Sequence, residues 1–138
     1  MQPFYSKEGQ KQGIDLLNMQ WSDFDDFYKR YDSTTNPDNY ADRVSIWNTF
    51  EIIGSCYRSG LLDIETVYGV APLIMVNMWA KFKPVIEEYR KFDYGSDMFE
   101  NWEYLAGQLV KIKARKDPKW KLSRSYFKGD EYDKVFRS

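Results

Sequence analysis

The chain has 138 residues, 43% hydrophobic and 30% charged, a composition that suits one globular domain and excludes a disordered chain. It holds no histidine and one cysteine, Cys56, which excludes His-based triads, His metal ligands, an internal disulfide and any CxxC site. The formal charge of −1 conceals a division: residues 1–110 carry a net −7, residues 111–128 a net +7 and the last ten a net −1.

Residues 1–13 are polar and lack the apolar run of a signal peptide. They read as a frayed lead-in, with a short helix starting near Lys7 and reaching Asn18. Ser22 is the expected N-cap of a second helix, with Asp23, Asp25 and Asp26 in its first turn complementing the helix dipole. Phe24, Phe27, Tyr28 and Tyr31 then form an aromatic stripe at helical spacing. Asn36-Pro37 is a start signal, with Asn as cap and Pro at the first helical position. Apolar residues recur from there at Tyr40, Val44, Trp47, Phe50, Ile53 and Tyr57, Ile46 widens the face, and Gly60 is the stop after Ser59.

Asp63 is the expected cap of the next helix. Val67, Ala71, Ile74, Met78, Phe82, Val85 and Tyr89 make one stripe, flanked by Tyr68, Met75, Trp79 and Ile86, as in the central helix of a bundle. Pro72 and Pro84 each remove an internal hydrogen bond and predict kinks or a break. Asp97 with Glu100 three residues on predicts a capping box. Phe99, Trp102, Leu105, Ala106, Leu109 and Ile112 line the helix that follows, which Asp117-Pro118 ends. A short turn of helix after Gly129-Asp130 fits the remainder.

The expected fold is therefore all-α: a compact bundle of about four to five helices over residues 1–116, with a partly irregular, basic C-terminal extension over 117–138. No segment reaches the roughly 18–20 apolar residues that span a bilayer, since the best run, Val70 to Met78, contains Pro72 and Asn77. A soluble, cytoplasmic setting is the expectation, and the lone cysteine fits a reducing compartment.

Motifs for chemistry are sparse. The Asp23–Asp26 cluster lacks the glycine turn and distal Glu of a calcium loop, and helix-start placement accounts for it. Glu51, Glu65, Glu87, Glu88, Glu100 and Glu103 have no histidine with which to complete a carboxylate metal site. Cys56 sits on an apolar-periodic helix without an activating partner on its face and reads as a core cysteine. No GxSxG or glycine-rich nucleotide loop occurs. No cofactor or metal is expected, and enzymatic activity is not.

The one feature that invites a sharper reading is the basic segment: Lys111, Lys113, Arg115, Lys116, Lys119, Lys121, Arg124 and Lys128, interleaved with Trp120, Tyr126 and Phe127. Cations follow a phosphate backbone and rings stack on bases, so these residues are candidate contacts to single-stranded nucleic acid, or to anionic lipid heads. The plainer reading is a solvated helix end whose cations answer the negative end of the dipole and the acidic body.

Trp47-Asn-Thr-Phe-Glu-Ile-Ile-Gly54, Arg58-Ser-Gly60-Leu-Leu-Asp63, Trp79, Lys83-Pro84-Val-Ile86, Arg90 and Phe99-Glu-Asn-Trp-Glu-Tyr-Leu105 occur in an order that resembles a family of uncharacterised small helical domains of bacteria, archaea and their viruses. The resemblance covers Trp47 to about Leu109. It implies an all-helical fold with these helices in this order and is compatible with a viral or mobile-element origin. Many members carry a membrane helix ahead of the domain, and this sequence shows none. The resemblance supplies no residue roles. The function expected is a non-enzymatic protein–protein interaction or self-association module, its surplus rings (Tyr5, Trp21, Trp120 or Tyr126) exposed in a cluster. Nucleic-acid binding through 111–128 is the alternative.

Overall fold

Side-chain oxygens mark most of the helix starts. The computed structural model describes residues 6–70, 72–92 and 95–120, and these form six helices: α1 (Lys7–Leu17), α2 (Phe24–Tyr31), α3 (Pro37–Arg58), α4 (Ile64–Val70), α5 (Pro72–Phe92) and α6 (Glu100–Lys116). Ser6 accepts from the Gly9 N–H at α1, Asn36 from Asn39 at α3, and Asp63 from Thr66 ahead of α4. Each satisfies a backbone donor that the helix itself leaves open. α1 starts at Lys7 and is capped at Asn18, as the sequence suggested, and Gly9 and Gly13 are buried on the bundle, so residues 7–13 are not frayed.

Three sequence expectations need correction. The N-cap of α2 is Asp23, whose Oδ1 accepts from the Asp26 N–H at 2.8 Å. Ser22 instead donates its backbone N–H and hydroxyl to Asp26. The described residues form six helices rather than four to five, because the stretch from Asp63 to Tyr89 breaks at Pro72, one of the outcomes its prolines predict: α4 ends at Val70 and α5 begins on Pro72, while Pro84 lies inside α5. Pro72 occupies the start of a helix, where its missing N–H costs nothing, and this split raises the count above four or five. The Asp97–Glu100 capping box does not form. Phe99 holds the N-cap position of α6 in the left-handed region, at φ 58°, with no side-chain cap of its own.

At the end of α3, Gly60 takes φ 86°, the Leu61 N–H reaches the Cys56 carbonyl and the Gly60 N–H that of Tyr57. These paired bonds close the last turn as a Schellman motif, which needs the conformation that glycine adopts freely.

The core is aromatic. Trp47, Trp79 and Trp102 are each at most 1% exposed, and Phe27, Phe50 and Phe82 are fully buried. Trp102 sits centrally, its ring 5.1 Å from Trp79, 5.4 Å from Phe50, 5.9 Å from Phe99 and 6.1 Å from Trp47. Its indole N–H donates to the Met75 carbonyl at 3.0 Å, so the ring is buried without an orphaned donor. The most extensive helix pairing is α3 on α6, and α5 packs against α1, α2, α4 and α6.

The α3–α6 seam is close because Gly54 lies on it: a Cβ there would collide with the Asn101 carbonyl oxygen and stand 2.6 Å from its carbon. One turn earlier, Glu51 accepts from the Trp102 backbone N–H at 2.8 Å and from the Asn101 amide at 3.0 Å. One turn later, Arg58 donates to Asn101 Oδ1 at 3.1 Å and lies over the Tyr104 ring. The carboxylate of α3 thus caps α6.

The described part of the expected extension is Asp117–Trp120. Asp117 ends α6, the Trp120 N–H returns to the Asp117 carbonyl, and Trp120 packs against the core. No described helix is long and apolar enough to cross a membrane.

Candidate functional site

The rings of α2 that the core cannot absorb meet the end of α5. Phe24 lies 6.2 Å from Tyr28 and 6.3 Å from Phe92, the latter pair nearly parallel, and edge-on to Tyr89 at 5.3 Å. Phe92 is 68% exposed and Tyr28 50%. Four aromatic side chains on two helices therefore form one partly exposed patch. Its rings are not the ones the sequence named. Trp21 is half-buried, stacked on Phe82 at 5.4 Å and edge-on to Phe27 at 5.1 Å. Trp120 also packs inward, and Tyr5 and Tyr126 lie outside the described residues. The α2 stripe was legible, but rings at 24, 27, 28 and 31 span only about 100° of the helix, the width of an ordinary core face, so the spacing did not say which would stay outside.

Tyr89 is shared with a cleft of about 420 Å³ that runs between α3, the end of α5 and the turn before α6. Tyr40, Arg43, Val44 and Trp47 line it from α3, and Met98 and Phe99 from the turn, with Asn48 and Glu51 also on its lining. Arg43 is 1% exposed. Its Nη1 donates to the Tyr31 carbonyl at 2.6 Å, the last carbonyl of α2, and to Asn39 Oδ1 at 3.0 Å. Its guanidinium carbon stands 4.9 Å from the ring centroid of Tyr40, 5.1 Å from that of Phe27 and 5.8 Å from that of Trp47.

Burial pulls the Arg43 pKa below the ordinary guanidinium range, and Tyr89, within hydrogen-bonding range, opposes that shift. Burial likewise holds the Tyr89 phenol above its usual value, with Arg43 acting against it. The charge persists, since arginine does not lose its proton in proteins. Two polar atoms of the cleft residues have no hydrogen-bond partner: Arg43 Nε and Trp47 Nε1. Sequence reasoning passed over Arg43. Its signal was a lone cation between Tyr40 and Trp47, on the apolar face of α3.

The basic segment is only partly described. Lys111, Arg115, Lys116 and Lys119 are exposed and Lys113 is half-buried. Lys111 and Arg115, four apart, share a face of α6, and Lys113 lies across the helix from them. Lys116 pairs with Glu65 at 3.2 Å and stands over the Tyr68 ring, tying α6 to α4. Lys121, Arg124, Tyr126, Phe127 and Lys128 lie outside the described residues. Of the acidic residues, Asp23 caps α2 and Asp26 faces Ser22 and Arg30. Among the described residues no group of three or more Cys, Asp or Glu is placed to hold a metal ion.

Several of the residues that carry the resemblance build the frame around this site. Trp47, Glu51, Gly54, Arg58, Asn101 and Trp102 make the α3–α6 seam. Arg90 ties the end of α5 to the turn, donating to the Met98 carbonyl at 2.8 Å and to Glu103 at 3.2 Å. The model of one family, described as a domain of unknown function (DUF4760), matches residues 9–109, and the chain belongs to that family. The match runs from α1 into α6 and so includes both helices of the patch and all of the cleft. No curated protein and no solved structure matches the chain.

Proposed function

We propose that the domain acts by binding rather than by catalysis, docking a protein through the aromatic patch of α2 and α5. The observation that carries this reading is the Phe24–Phe92 stack, whose outer ring is 68% exposed. Exposed, clustered rings are the side chains that anchor protein interfaces, because they bury a large area at little cost in side-chain entropy. The partner is a second copy of the chain or another protein. The setting this reading takes is cytoplasmic, in which the unpaired Cys56 stays reduced.

The test compares wild type with Phe92→Asp. Sedimentation velocity over a range of protein concentration reads self-association, and affinity capture followed by mass spectrometry reads other partners. Loss of one anchoring ring is expected to cost about 2 kcal/mol of binding, roughly thirtyfold in affinity. Unchanged association and unchanged capture by a folded Phe92→Asp variant would overturn the reading.

Nucleic-acid contact through 111–128 remains the alternative, favoured by the exposure of Lys111, Arg115 and Lys119. Trp120, the described ring of that segment, packs on the core and is less open to stacking on bases.

A further inference from the structure

We infer that α6 pairs with α6 of a second copy of the chain, antiparallel about a two-fold axis at Gly107. The pairing uses a different face from the aromatic patch and does not depend on what that patch docks.

The buried stripe of α6 is Trp102, Leu105, Ala106, Leu109 and Ile112. At about 100° per residue, Gly107 falls opposite the centre of that stripe, in the middle of the outward face. A Cβ at Gly107 would meet nothing within 4 Å. Glycine inside a helix is disfavoured relative to alanine, and no packing among the described residues accounts for it here. Gly13 and Gly54 differ: a Cβ at Gly13 would stand 2.9 Å from Ile74 Cδ1, and Gly54 lies on the α3–α6 seam. Gly69 is as open as Gly107, but it lies in the last turn of α4 rather than inside a helix. A bare position in mid-face does permit close approach of another helix, since side chains at the crossing set the distance between helix axes.

The rest of the face specifies what approaches. Tyr104 is 43% exposed and held in place, its ring 6.1 Å from that of Tyr57 and under the Arg58 guanidinium at 4.6 Å. It is an exposed aromatic anchor of the kind that interfaces use. Charge is divided along the helix: Glu100 and Glu103 precede Gly107, and Lys111 and Arg115 follow it. Glu103 already takes a bond from Arg90. Glu100, Lys111 and Arg115 are exposed and form no ion pair with a described residue. A two-fold axis at Gly107 sets residues equally far on either side of it against each other. By helical spacing, Glu100 then lies between Lys111 and Arg115 of the second copy, and Tyr104 lies beside its Lys111. Symmetry forms each of these contacts twice, and the antiparallel helix dipoles add to the attraction. A parallel pairing would bring like charges together, and a polyanion along this face would meet two glutamates, so charge complementarity selects the antiparallel second copy.

Sedimentation equilibrium on the whole chain, from micromolar to submillimolar concentration, reads the pairing, and the thermal midpoint at high dilution reads the fold. Wild type is expected to be dimeric at the upper end of that range. Gly107→Leu should weaken pairing at least about tenfold by holding the helices apart. Its midpoint at high dilution should be unchanged or higher, because the new Cβ enters open space and leucine favours the helix. Glu100→Lys should abolish self-pairing, and so should Lys111→Glu combined with Arg115→Glu. An equimolar mixture of those two variants should pair, because the reversed charges then meet opposite signs. In Phe92→Asp the α6 pairing is expected to remain, which separates failure of this inference from failure of the patch. A wild type that stays monomeric, pairing unchanged in Gly107→Leu, no pairing of the mixed charge variants, or pairing lost in Phe92→Asp but kept in Gly107→Leu would each overturn the proposal.

Discussion

Gly54 and Glu51, one turn apart on α3, do different work on the same neighbour. At Gly54 the backbone of α6 occupies the place of a side chain. Gly54→Ala is expected to push the helices apart and cost about 2 kcal/mol, as overpacking of a close contact does, measured by urea denaturation. Glu51→Ala keeps the spacing and orphans the Trp102 N–H, and about 1–2 kcal/mol should be lost in the same assay.

Acid sensitivity is also set by single residues. Asp32 accepts from the Thr35 N–H at 2.7 Å and from Thr34, and these bonds hold its carboxyl below the usual range. The backbone N–H of Ser22 does the same for Asp26, and that of Thr66 for Asp63. A carboxylate depressed in the folded state stabilises above its unfolded pKa, near 3.9, and that contribution is lost as pH falls through the lower folded value. The thermal midpoint should therefore hold from neutral pH down to about 4 and then fall. Asp32→Asn keeps the acceptor without the titration, so its acid limb should be shallower. Asp42 has the opposite sign: burial, then Asp38 and Asp15, raise its pKa, so its charged form disfavours folding at neutral pH.

At the scale of helices, the α3–α6 seam is the stable centre, and hydrogen exchange is expected to be slowest for amides of 46–54 and 102–112. Much of this layout was legible in the chain. Asn36-Pro37, Asp63 and Gly60 mark ends through bonds to residues at most four positions away, so they are readable locally. What was not legible depends on partners far along the chain or on a choice between neighbours. Ser22 and Asp23 are equally good caps by type, and the geometry of one turn decides between them. Pro72 and Pro84 carry the same chemistry, yet one opens a helix and the other is absorbed within it. The cap of α6 comes from another helix altogether, and local spacing pointed to Asp97 instead. The site divides the same way: excess rings on α2 were visible as a stripe, but which rings stay outside depends on where α5 ends. Arg43 was hidden because a cation among aromatic residues on a helix reads as surface until the fold closes over it.

For the molecule as a whole, function and stability fall on different residues. Phe92 is exposed and Trp102 is fully buried, so Phe92→Asp should leave the thermal midpoint near that of wild type while altering association. Trp102→Ala should cost about 3–5 kcal/mol, as for other large core rings, and leave little folded protein to assay. The cap that joins α3 to α6 carries a consequence for how the chain reaches this state. Glu51 and the amide it holds are 51 positions apart, so the first turn of α6 is completed only after a long loop has closed. Loop closure of that length belongs to the search rather than to the final packing, and it slows folding of otherwise local helices. Glu51→Gln weakens the contact without removing it. In stopped-flow refolding its effect is expected mainly on the folding arm, which would make this one carboxylate a pacemaker of assembly; an effect confined to the unfolding arm would place the capping bond after the barrier.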